Sequence, residues 1–76
     1  MPTVMIVYGF RFFFYSREEE RMHIHVEFQG SVAKVWLDTF EIGENYGLKQ
    51  YQLNEIQKIT RKYEKVFKKA WISHFG

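Results

Sequence analysis

The sequence predicts an α+β fold: a four-stranded antiparallel meander packed against one long C-terminal helix. Three observations carry this prediction. His23 to Phe28 and Val32 to Leu37 alternate polar and apolar side chains around a tight Gln29-Gly30-Ser31 turn. The opening runs Thr3 to Val7 and Phe10 to Tyr15 are β-branched and aromatic, and Tyr8-Gly9 interrupts them as a hairpin turn would. From about Gln50 to His74 the apolar period lengthens to three and four residues, which is the signature of an amphipathic helix.

The elements follow in chain order. Strands are expected at 3–7, 10–15, 23–28 and 32–37, with the charged segment SREEER, Ser16 to Arg21, joining the second to the third. The lone proline, Pro2, precedes the first strand. Asp38 to Gly47 carries two glycines and no clear period, so it reads as an irregular crossover with a short fifth extended piece around Phe40 to Ile42. The helix at 50–74 aligns Leu53, Ile56, Ile59, Tyr63, Val66, Phe67, Ala70 and Trp71, and turns Lys58, Arg61, Lys62, Lys65, Lys68 and Lys69 mostly to other faces. The later cations complement the negative end of the helix dipole.

One helix covers one sheet face, and that face takes the residues that leave water most readily. Ile24, Val26, Phe28, Ala33, Val35 and Leu37 fit it, as do Phe10, Phe12 and Phe14, since burying Arg11 unpaired is costly. The opposite, outer face then holds Arg11, Phe13, Tyr15, His23, His25, Glu27, Val32, Lys34 and Trp36. A turn centred on Gln29-Gly30 pairs His25 with Lys34 and His23 with Trp36; one centred on Gly30-Ser31 pairs His25 with Trp36 and Glu27 with Lys34.

Composition limits what such a domain can be. A single domain of 76 residues buries only about 60% of its unfolded surface, so a partner or second copy would add stability. There is no cysteine, which excludes disulfides, thiolate ligands and thiol nucleophiles. The opening MPTVMIVYGF lacks a basic region followed by a long apolar one, and no apolar run is long enough to span a bilayer, so a soluble cytoplasmic protein without membrane contact is expected. The net charge of +2 is segregated: up to Leu48 the chain has 4 basic and 7 acidic residues, and from Lys49 onward 7 basic and 2 acidic. The basic segment suits nucleic acid or an acidic protein, and equally a solvated helix face.

Several chemistries fit the outer face. Paired imidazoles on one strand face suit zinc or copper, but His23, His25 and Glu27 fall short of a structural zinc's four ligands, and His74 sits far along the helix; no metal or cofactor is expected. Two histidines titrating near neutrality can divide acid and base work, as ribonucleotide cleavage requires, with Arg11 and Lys34 holding phosphate. Tyr15 and Trp36 among cations also suit stacking of unpaired bases with no reaction at all. Equally, the same aromatic patch reads as a protein interface, including a homodimer whose outer faces meet.

Reading MPTV, GFRFFFYS, HIHV, AKVWLD, ENYGL and AW followed by FG in that order, nearly the whole chain resembles the small bacterial domain of unknown function 4160 family. Met22 stands where that family usually has proline before the HIHV-like motif, Thr39 where proline often follows WLD, and Lys49 where serine often caps the helix. The resemblance implies a gene beside a second small domain, an arrangement that looks like a toxin–antitoxin pair. On that analogy the basic, histidine-bearing chain is expected to be the toxin, acting on RNA or translation; joined to the paired histidines read above, this gives the expectation of a metal-independent ribonuclease with His23 and His25 as general acid and base. Its partner is then a cognate antitoxin-like protein. The alternative is a non-enzymatic module that binds nucleic acid or its partner, as a regulator or antitoxin.

Overall fold

The computed structural model describes residues 3–15 and 21–75; Pro2 and the charged connection at 16–20 lie outside them. Strands β1 (Thr3–Val7), β2 (Phe10–Phe13), β3 (His23–Phe28), β4 (Ser31–Trp36) and β5 (Ile42–Tyr46) form one antiparallel sheet in chain order, and α1 (Gln50–Lys62) and α2 (Glu64–Phe75) follow. This is the α+β class that the alternation predicts, with the fifth strand a full member of the sheet.

Two-residue turns set the register. Tyr8-Gly9 and Gln29-Gly30 both have two consecutive positive φ values, the backbone twist that suits tight hairpins and that glycine adopts without strain. The second turn selects one of the two registers open to the sequence: His25 faces Lys34 and His23 faces Trp36. The fifth strand begins later than the expected Phe40 to Ile42 piece. Phe40 has φ +64 and donates its N–H to the Trp36 carbonyl at 2.8 Å, while Trp36 N–H donates to Glu41 O at 2.9 Å, so the turn at 37–39 is closed by Phe40 and Glu41, and the strand starts only at Ile42. Beyond it, Asn45 accepts the Leu48 N–H and donates to the Leu48 carbonyl, which closes the crossover into the helix.

The C-terminal segment departs from a single helix over 50–74. It breaks at Tyr63, whose φ of −107° and ψ of 23° leave the α region. Three residues earlier, the Thr60 hydroxyl donates to the Ile56 carbonyl at 2.7 Å, a back-bond that bends helices. Hydrogen bonds from Tyr63 N–H to Ile59 O and from Phe67 N–H to Tyr63 O, each 3.0 Å, keep the two halves joined. The change of direction turns Val66 out to 45% exposure, against its inward phase in the sequence, and keeps Phe67 and Trp71 buried. At the other end Lys49 has no side-chain acceptor to cap α1, but its N–H donates to Gln52 Oε1 at 2.8 Å.

The main core lies between the helices and the inner sheet face. Phe10, Phe12, Phe14, Ile24, Val26, Ala33, Val35 and Leu37 pack there against Leu53, Ile56, Ile59, Phe67 and Trp71, and Phe12 stacks on Phe67 at 5.0 Å between centroids. No described helix is long and apolar enough to cross a membrane.

Candidate functional site

On the outer face, alternation and register combine into rows that run across the strands. Phe13 on β2 faces His25 on β3, His25 faces Lys34 on β4, and Lys34 faces Glu44 on β5. In the next row Arg11 faces Glu27, Glu27 faces Val32 and Val32 faces Tyr46. Side chains opposite one another in a sheet lie within contact distance, so each row is a physical neighbourhood.

These neighbours cover one another, and the outer face is drier than an unpartnered sheet face would suggest. Phe13 is 2% exposed because the Arg11 guanidinium lies 4.3 Å from its ring centroid, with Tyr15 and His25 rings at 5.1 and 5.6 Å. Trp36 has the Arg21 guanidinium 4.1 Å and the Lys34 ammonium 4.5 Å from its ring. Room for this stack comes from Gly43: a β-carbon there would stand 2.9 Å from the Trp36 Nε1 and 3.1 Å from the Lys34 Cε. Gly43 is the extra residue of a bulge, since β4 steps from Glu44 to Ile42 between Lys34 and Val35.

The two histidines share the outer phase but differ in burial. His23 is 1% exposed, where the alternation alone places it outward; its ring lies 5.5 Å from Trp36 and 5.1 Å from Trp71, and its Nδ1 is 2.8 Å from the Arg21 carbonyl. A carbonyl only accepts, so Nδ1 carries the proton in that bond. His25 is partly exposed, with its ring 5.0 Å from His23 and 4.4 Å from Tyr15. His74 stacks on Phe14 instead, and among the described residues no group of three or more His, Asp or Glu side chains is placed to hold a metal ion.

Each cation assigned to phosphate also meets a carboxylate. Arg11 Nε lies 3.0 Å from Glu27 Oε1, and the Lys34 Nζ lies 3.1 Å from Glu44 Oε1, with Lys34 only 6% exposed. Glu44 Oε2 in turn accepts the Tyr46 hydroxyl at 3.1 Å. The Lys34 hydrogen bond, helped by Tyr46, holds the Glu44 carboxyl below its ordinary value, and the same bond from Tyr46 to Glu44 raises the phenol. At the strand ends Arg21 grips Asp38 with two 3.0 Å bonds and lowers that carboxyl too.

Tyr15, His25, Lys34, Glu44 and Tyr46 together line a cleft of about 280 Å³ on this face, with Val32 and Ala33 at its apolar side. Of the residues singled out from sequence, three line this cleft; Trp36 lies beside Lys34, His23 lies behind His25, and Arg11 sits one row away. Sequence reasoning misses Glu44, Tyr46 and Gly43. Their segment, IGENY, has no apolar alternation to mark it as a strand that completes the face, and ENYGL enters only among the motifs that carry the family resemblance.

A family model described as Domain of unknown function (DUF4160) matches residues 9–72, a stretch that holds all of these outer-face residues. No curated protein and no solved structure matches the chain.

Proposed function

The chain belongs to the family described as Domain of unknown function (DUF4160), and within it we propose that this protein is the toxin-like member of a two-protein module, acting on RNA in the cytoplasm through the outer sheet face. The observation that carries this reading is the cleft in which two tyrosines flank an imidazole and an ammonium. Tyr15, 38% exposed, and Tyr46, 66% exposed, offer ring faces to an unpaired base, while Lys34 and His25 offer positive or hydrogen-bonding groups to its phosphate.

The enzymatic version needs no metal. One imidazole accepts the proton of a ribose 2′-hydroxyl as that oxygen attacks the adjacent phosphorus, and the other protonates the departing 5′-oxygen. His25 is the histidine that lines the cleft, and its buried Nε2 must be uncovered to meet substrate; His23 is the second proton carrier, and its cover of Trp36 and Trp71 must open as well. A specific observation favours a second, non-enzymatic reading, in which the same face binds RNA or the cognate antitoxin-like partner. His23 is buried, and Arg11 and Lys34 already hold carboxylates.

Expression of the chain with and without the adjacent gene, following growth and RNA integrity, tests both. The enzymatic reading expects growth arrest with RNA fragmentation that is lost in His25→Ala and His23→Ala. Arrest that persists in both variants removes the catalytic assignment, and RNA binding without fragmentation selects the second reading.

A further inference from the structure

We infer that the base taken by this cleft is guanine and that Glu44 reads it; the inference rests on the RNA-binding reading above. A carboxylate in a site for a polyanion repels phosphate, so the edge of Glu44 that remains at the cleft beyond its pairing with Lys34 suits a ligand group that donates N–H bonds. Glu44 lines the same cleft as Tyr15 and Tyr46, and its side chain is 46% exposed. Lys34 bonds one of its oxygens and the Tyr46 hydroxyl the other, each at 3.1 Å. An ionised carboxylate offers about four lone-pair sites, so one acceptor site remains on each oxygen.

Two adjacent acceptors on a fixed plane match two parallel N–H donors. Among the four RNA bases only guanine presents such a pair on its pairing edge, the ring N1–H and the exocyclic amine beside it. Adenine and cytosine each place a ring-nitrogen acceptor beside their amine, where it meets the carboxylate's negative charge. Uracil sets its single N–H between two carbonyls.

The orientation of Glu44 is set before any ligand arrives. The stem of Lys34 is buried, its ammonium lies over Trp36, and Gly43 leaves the space that keeps both in place. A prearranged acceptor loses less freedom on binding than a mobile one. The Lys34 and Tyr46 bonds also keep the carboxyl below its ordinary pKa, so the acceptor is ionised throughout the neutral range.

Fluorescence anisotropy with labelled pentamers UUGUU, UUAUU, UUCUU and UUUUU, carrying 2′-O-methyl riboses to block cleavage, tests the inference. UUGUU is expected to bind about tenfold more tightly than the other three, in the range of a good bidentate contact. In Glu44→Gln, which keeps the volume but supplies only one acceptor, the four affinities are expected to fall within about twofold of one another while UUUUU binding persists. Equal binding of all four pentamers by the unmodified protein overturns the guanine assignment and leaves the RNA-binding reading standing. A guanine preference that survives Glu44→Gln overturns the role of Glu44. Failure of a folded protein to bind any pentamer overturns both.

Discussion

The His23 imidazole and the Trp71 indole lie 5.1 Å apart between ring centroids, although His23 belongs to the outer phase of β3 and α2 packs Phe67 against the inner face. Trp71 also meets Phe14, an inner-phase residue, edge-on at 5.7 Å. One side chain thus joins the main core to the outer layer at the end of the sheet. His23 is dry because α2 reaches that end.

Truncation of Trp71 should therefore loosen both layers. Replacing a buried tryptophan with alanine costs about 3–5 kcal/mol, a large part of the roughly 4–11 kcal/mol expected for a domain of this length. Trp71→Ala is expected to unfold at much lower urea concentration than the unmodified protein, and Trp71→Phe to retain most of its stability. A loss below about 1 kcal/mol for the alanine variant, measured by urea denaturation, would mean that the indole is not packed as described.

Gly43→Ala probes the outer layer alone. The added methyl meets the rigid edge of the Trp36 indole at 2.9 and 3.0 Å as well as Lys34, so ring or strand must move. Overpacking of this kind costs about 1–3 kcal/mol. The expected result is a lower melting temperature and a shifted Trp36 indole N–H resonance; an unchanged resonance would show that the indole does not rest on Gly43.

Acid titration should report the Lys34–Glu44 pair. The folded Glu44 carboxyl titrates below its ordinary 4.5 because Lys34 and then Tyr46 hydrogen-bond its charged form. The stabilising effect of this pairing is present above 4.5 and is lost as pH falls through the lower, native midpoint. In Lys34→Met the Glu44 midpoint, followed by carboxyl carbon NMR, is expected to move back up toward 4.5. A midpoint unchanged by that substitution would remove Lys34 as the main cause.

Salt dependence distinguishes the sheet face from the helices as the RNA contact. Lys62, Lys65 and Lys69 are exposed on α1 and α2, along the face opposite the apolar stripe. If RNA lies on the sheet, converting all three to glutamine leaves the slope of log affinity against log salt nearly unchanged. A slope that falls by about two, as three lost single-strand phosphate contacts predict, would place the RNA on the helices.

The sequence by itself determined the phase of the three middle strands. Ile24, Val26, Ala33, Val35 and Leu37 turned inward as a set, while the sequence left two hairpin registers open and the structure took the one that sets His25 opposite Lys34. Phase is a local property, since a period of two assigns faces, whereas register waits on which two residues form the turn. Only the tertiary structure decided what covers each face. The bend at Tyr63, which exposes Val66 and accompanies the burial of Trp71 against His23, arises where a helical period continues without interruption. The pairing of Lys34 with Glu44 joins strands on either side of a turn whose residues show no strand alternation. Burial and ion pairing depend on which elements meet in space, and phase within one element does not contain that information.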